Sequence, residues 1–126
     1  MNQEHGTFTV MVDTNIIIAK MKGSFNDFGV RALIEAIVDK IEKFNGEPFS
    51  IIVEDLELEG ITPEGYEELN KYNEWLNGQN MIAKARVANS AVLLNIDSVR
   101  IPMVKKQKEK EFNNVPDAIE WLKLQS

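Results

Sequence analysis

The chain has 126 residues and a formal net charge of −6, from 20 acidic and 14 basic side chains. That length suits one domain, 1–126, which can bury roughly two thirds of its unfolded surface without a staple. With no cysteine, disulfides, thiolate metal sites and cysteine nucleophiles are excluded. The acidic balance disfavours a generic nucleic-acid binder, whose affinity comes from Lys and Arg displacing phosphate counterions.

The opening MNQEHGTFTV lacks a charged n-region and an apolar h-region, so the expected location is the cytosol. No apolar run reaches the roughly 18 residues of a membrane span. TFTVMVD alternates Phe8, Val10 and Val12 against Thr7, Thr9, Met11 and Asp13, the period-two signal of a strand. Asp13, Thr14 and Asn15 are turn formers, and three β-branched isoleucines follow them in NIIIAKMKG, which favours a second strand. Gly23 is expected to end that strand. Two extended runs around a short polar turn predict a β-hairpin.

In SFNDFGVRALIEAIVDKIEKFNG the period changes. Phe28, Leu33, Ile34, Ile37, Val38, Ile41 and Phe44 recur at three- and four-residue steps, giving a helix with one apolar face. Asn26 or Asp27 caps its start and Gly46 suits the left-handed position past its end. PFSIIVEDLEL then predicts a buried strand with Phe49, Ile51, Ile52 and Val53 as its core, its carboxylates beginning where it leaves the sheet. In GITPEGYEELNKYNEWLNGQN, Thr62 is placed as N-cap and Pro63 at the first helical position, with Gly78 marking the close. Tyr66, Leu69, Tyr72 or Asn73, and Leu76 supply the inward face.

MIAKARVAN is a further short strand, Ile82, Lys84 and Arg86 alternating with Ala83, Ala85 and Val87. SAVLLNIDSVRIPMVKKQK is taken as a helix begun by Asn89 or Ser90 and disturbed near Pro102. KEFNN follows as a short edge strand. NVPDAIEWLKLQS closes the chain as a helix capped by Asn114, with Asp117 completing a reduced capping box and Ala118, Ile119 and Leu122 facing inward. A hairpin followed by alternating helices and strands predicts an α/β fold, with helices packed on a single-layer mixed sheet.

One stretch admits two uses. VMVDTNIII resembles the opening of a PIN-domain ribonuclease, whose aspartate holds a catalytic metal ion. That use requires a helix after Asp13-Thr14-Asn15, and more carboxylates converging on Asp13 to supply oxygen ligands. Glu54, Asp55 and Asp97 are the candidates. Three isoleucines and a Lys/Gly turn stand where the helix should begin, so the turn is preferred and the metal-dependent nuclease kept as a remote alternative. The sole histidine, His5, lies near the N-terminus and offers no base to a serine triad. Gly-rich phosphate loops are missing, and Glu54 and Asp55 point to opposite faces if both lie on a strand. Trp75 and Trp121 sit at the ends of amphipathic helices, where core packing or a half-exposed edge accounts for them better than a stacking platform. No catalytic or metal-ligating residue and no cofactor is assigned.

Charge is distributed unevenly. Glu54 to Glu68 holds seven carboxylates and no base, whereas Arg100 to Lys110 holds five basic side chains against Glu109. Solvated faces explain both, and opposite-sign surfaces that orient a protein partner are the sharper account.

In this order, KMKGSFN closing the hairpin, FSIIVEDLELEGITPEGYEEL as strand, loop and helix, and the late EFNNVPDAIEWL, the chain resembles a STAS domain. That is the fold of bacterial anti-sigma-factor antagonists, and the nearest likeness is to the divergent branch grouped with Sec14-like folds. The resemblance covers nearly the whole chain. It implies a non-enzymatic regulatory module that meets a protein partner through a loop formed by Asp55, Glu57, Glu59, Gly60, Thr62, Glu64 and Gly65. In switched members of the family this loop reads Asp-Ser-Ser-Gly, and the serine before glycine is phosphorylated. Matching Gly65 to that glycine puts Thr62 at the aspartate, Pro63 at the first serine and Glu64 at the phosphorylated one. Glu64 cannot accept a phosphate, which implies loss of the serine switch. The Sec14-like relatives imply an alternative, a carrier of a small apolar ligand or lipid in a pocket of Leu93, Leu94, Ile96, Val99, Ile101 and Met103. A homodimer is compatible with either use.

Overall fold

A computed structural model of the chain describes residues 3–89, 102 and 107–125. Strands β1 (Thr7–Asp13) and β2 (Ile16–Phe25) pair antiparallel, with Asp13 opposite Ile16. The two residues between them, Thr14 and Asn15, make the turn, and Thr14 takes a φ of 58°. A primed hairpin turn needs positive φ at its first central residue, because only that hand matches the twist of the strands. The helix that a PIN-type metal site requires after Asp13 is therefore replaced by a ten-residue strand. Three β-branched side chains fit that pleated surface better than they fit a helix.

Helix α1 (Asp27–Lys43) starts at Asn26, whose side chain accepts from the Gly29 amide at 2.8 Å. It buries Val30, Leu33, Ile37 and Ile41 against the sheet. Strand β3 (Phe49–Ile61) runs parallel to β2, and Ser50 donates its amide to the Asn15 carbonyl. Helix α2 (Pro63–Leu76) leads to β4 (Met81–Val87), parallel to β3, and β5 (Glu109–Phe112) pairs parallel to β4. The last helix, α3 (Val115–Gln125), is capped by Asn114, which accepts from the Asp117 amide and donates back to its carboxylate, both at 2.9 Å. The strands form one mixed sheet in the order β1-β2-β3-β4-β5. The predicted α/β architecture stands.

Helices cover both faces. Phe25, Ile17, Met21, Phe49 and Ile51 meet α1 and α2 on one side. Ile52, Ala83, Ala85 and Val87 meet Ala118 and Leu122 of α3 on the other. Among the described residues no helix is long and apolar enough to cross a membrane.

Two local expectations are corrected. Gly23 does not end β2. It has a φ of 84° inside the strand, next to a register shift between Gly23 and Ser24, and the strand continues to Phe25. The carboxylates of β3 also stay in the sheet. Glu54 pairs with Lys20 and Glu57 with Lys22, three steps along β3 against two along β2, so β3 carries a bulge at Asp55 and Leu56. The helix expected from Asn89 or Ser90 lies outside the described residues.

Candidate functional site

The segment expected to form a partner loop is divided by the structure into three environments. Asp55, Glu57, Glu59 and Gly60 belong to β3, and the loop itself shrinks to Thr62. The physical reason lies across the strands. Lys20 contacts Glu57 at 2.9 Å and Lys22 approaches it at 3.9 Å, which lets acidic residues continue a ladder. The Lys20 ammonium, by hydrogen bond and then by charge, holds the Glu57 carboxyl below the usual range, and Glu57 raises Lys20 in return. Both are solvent-exposed, so the pair is a surface feature of small energetic weight.

Asp55 is not on the surface at all. It is 1% exposed, and its Oδ2 accepts from Arg86 Nη2 at 2.6 Å. Asp55 keeps the alternation of Phe49, Ile51 and Val53 toward the α1 and α2 side, as Leu56 keeps that of Ile52 toward the α3 cluster; the bulge changes the phase only beyond them, where Leu58 returns to the first side. A buried carboxylate bonded to a buried guanidinium cannot meet a partner, so Asp55 leaves the set of contact residues.

Thr62, Glu64 and Gly65 remain together where β3 ends. The Thr62 amide donates to the Phe25 carbonyl at 2.9 Å, fixing the start of α2 to the end of β2. Its hydroxyl accepts from the Gly65 amide at 3.1 Å, the cap that Ser, Thr, Asp and Asn provide. Gly65 is glycine because the helix packs closely there: a Cβ would lie 2.8 Å from Ile61 Cγ2 and 3.2 Å from Val30 Cγ2. Thr62, Pro63 and Glu64 are exposed. Glu64 adds an exposed carboxylate to the first turn of α2, where the macrodipole favours negative charge.

Beneath α2 lies a polar cluster that the sequence did not signal as such. Lys84 Nζ donates to Asn73 Oδ1 at 2.9 Å and is 3.4 Å from Glu109 Oε2. Gln107 donates to the same Asn73 oxygen at 2.9 Å, and Asn73 donates to the Leu69 carbonyl. Burial pushes the Lys84 ammonium down to about 8; Glu109 opposes that shift and the nearby Arg86 charge adds to it. Among the described residues the cluster holds two cations, Lys84 and Arg86, and two carboxylates, Asp55 and Glu109. The available signal was a pair of bases alternating with alanines in a strand, with a carboxylate on either neighbouring strand.

Among the described residues no group of three His, Asp or Glu side chains could hold an ion. Asp13 closes the hairpin beside the start of β3, while Glu54 and Asp55 lie further along that strand. Asp97 and the proposed pocket residues Leu93, Leu94, Ile96, Val99, Ile101 and Met103 lie outside the described residues.

No protein-family model and no curated protein matches the chain. Solved structures do. An uncharacterized DUF3478-family protein of Shewanella loihica, with a SpoIIAA-like fold, superposes with a TM-score of 0.69 at 12% identity over 97% of each chain. An anti-sigma factor antagonist from Mycobacterium paratuberculosis gives 0.67 at 15% identity, covering 94% of this chain and 95% of that one. SpoIIAA in its unphosphorylated form gives 0.64 at 13% identity, covering 93% of this chain and 98% of its own. Likeness at such low identity establishes the fold alone, and that fold is SpoIIAA-like.

Proposed function

We propose that the chain is a non-enzymatic regulatory module that binds a protein partner at the rim where β3 ends and α2 begins. Glu57, Glu59, Gly60, Thr62, Glu64 and Gly65 make up this rim, with Asp55 serving the interior beneath it. The observation that carries the proposal is the exposed, capped and acidic start of α2, held to β2 through the Thr62 amide. Support comes from the two anti-sigma factor antagonists of the same fold. Glu64 stands where the STAS resemblance places a phosphorylatable serine, so the rim presents a fixed charge and the interaction is not switched by phosphate at that position. Gly65 has a packing role, and its contribution to the surface is to let α2 approach α1.

The test is co-purification from cells with the wild-type chain as bait, alongside a variant carrying Glu59→Lys and Glu64→Lys. These two residues carry no ion pair among the described residues, so the exchange leaves the fold's own pairs in place. A partner retained by wild type and lost by the variant, with circular dichroism unchanged, is the expected result. An identical set of retained proteins for both baits would defeat the proposal.

A further inference from the structure

Helices α1 and α2 lie side by side, and a groove of about 440 Å³ opens between them on the surface away from the sheet. Its apolar lining comes from Ile34 and Val38 of α1 and from Tyr72 and Trp75 of α2. Trp75 is 39% exposed, one of the few large apolar side chains so exposed among the described residues, and its ring stacks on Tyr72 with centroids 6.4 Å apart. At one end Arg31 bridges the helices, bound to Asp27 at 3.0 Å and to Glu68 at 3.3 Å.

The α1 wall is different. Glu35 and Glu42 line the groove from exposed positions two turns apart, and neither has an ion pair among the described residues. They are separated by about 10 Å along the helix axis. The groove's own lining carries three carboxylates, Glu35, Glu42 and Glu68, against Arg31 and Lys71, and both bases are paired with Glu68, so the charge left over along the α1 wall is negative.

From these observations we infer that the α1–α2 groove is a second docking surface, and that its occupant is an amphipathic helical segment of a partner protein bearing lysine or arginine beside its apolar face. Apolar side chains of that segment fill the space over Ile34, Val38 and Tyr72, with Trp75 as the aromatic anchor. Tryptophan is among the side chains enriched where a few residues carry most of the binding energy. Basic residues spaced by about two turns reach Glu35 and Glu42, whose charges set orientation and encounter rate. The groove shares no lining residue with the rim at the start of α2, so this inference stands or falls separately from the proposed function.

The experiment uses the full chain labelled with nitrogen-15 and three synthetic peptides. One is an amphipathic helix of Leu and Lys, the second has its Leu replaced by Ser, and the third has its Lys replaced by Glu. The Leu/Lys peptide is expected to bind and to move the resonances of Ile34, Val38 and the Trp75 indole. The Ser/Lys and Leu/Glu peptides should bind at least about tenfold more weakly, since each lacks one half of the complement. Trp75→Ala, and separately Glu35→Lys with Glu42→Lys, should each weaken the Leu/Lys peptide by about tenfold or more, with thermal melts reporting that the fold persists. Glu59→Lys with Glu64→Lys should leave this binding unchanged. Equal affinity for the Ser/Lys peptide would reduce the effect to general attraction between opposite charges and overturn the inference. So would shifts confined to another surface, or groove resonances that move with protein concentration alone, which would make a second copy the occupant.

Discussion

The two sides of β4 are buried alike and built from opposite chemistry. Toward α3 the strand offers Ala83, Ala85 and Val87, none with measurable exposure, against Ala118 and Leu122. Toward α2 it offers Lys84 and Arg86, at 4% and 8% exposure, each bound to a carboxylate from a neighbouring strand. Apolar packing on the first side is proportional to area and tolerant of small shifts. On the second side every contact has a direction and a length, so the register of β3, β4 and β5 and the pose of α2 must agree at once. Such a layer adds little net stability, because desolvation offsets the attraction, but it makes wrong arrangements expensive.

The sharpest way to break this contrast is to remove one half of a buried pair. Asp55→Ala leaves the Arg86 guanidinium in the interior without its carboxylate, and a loss of about 3–5 kcal/mol is expected in urea unfolding. Replacing both, Asp55→Leu with Arg86→Met, should recover most of that loss, since neither member of the pair then keeps a charge without the other. A double variant as unstable as Asp55→Ala would show that the pair stabilises the fold in its own right. On the opposite side Leu122→Ala removes apolar atoms from a tight layer and should cost about 3 kcal/mol, from lost transfer energy plus the cavity left behind. A second replacement is not expected to rescue it, because what is lost is apolar contact rather than a compensating charge.

Lys84 sharpens the comparison through pH. Burial depresses it from 10.5 to about 8, so between those values the unfolded chain keeps a proton that the folded chain has released. The unfolded state then binds more protons, and stability must rise with pH across that window. Below it the ammonium is charged in both states and its burial penalty is fully felt. The gain is at most about 3 kcal/mol, and about 2 over the range in which unfolding is easily followed. Subtracting the profile of Lys84→Met removes the titration of the other lysines and of the tyrosines. A difference that stays flat from pH 8 to pH 10 would place the ammonium in contact with water and dissolve the distinction between the two sides.

Sequence reasoning found what is decided locally. Asn26, Thr62 and Asn114 were identifiable as caps because each acts on the amide three residues on. The hairpin at Thr14 and Asn15, the apolar face of α1 and the edge strand at Phe112 followed from periodicity and turn chemistry. What failed depends on residues far apart in the chain. The far half of β3 reads as a loop in the sequence because its glutamates suggest solvent, and the lysines that neutralise Glu57 stand on β2, more than thirty residues earlier. Gly23 reads as a stop because glycine suits a turn, but its positive φ serves a bulge where the neighbouring strand is longer by a residue. Lys84 and Arg86 gave no hint of burial, since alternation in a strand implies an exposed side only where no helix covers it. Of the candidate rim, the cap and first turn of α2 were legible, and the inward turn of Asp55 was not.

The smallest effect concerns a flaw in the apolar side itself. Ser50 points to the same side of β3 as Ile52 and is 1% exposed, yet its hydroxyl finds no hydrogen-bond partner among the described residues. A buried donor left unpaired is a net penalty, whereas its removal leaves a methyl group that packs equally well. Ser50→Ala should therefore be neutral or stabilising, by about 0.5–1 kcal/mol, with an unchanged dependence on urea. The same kind of truncation on the other side, Asn73→Ala, should be destabilising, because it deprives Lys84 and Gln107 of a shared acceptor. Opposite signs for two polar-to-alanine exchanges, at similar burial and on opposite sides of one sheet, are what a dry layer facing a paired one requires. If both destabilise, the Ser50 hydroxyl is satisfied in solution and the α3 side is not dry.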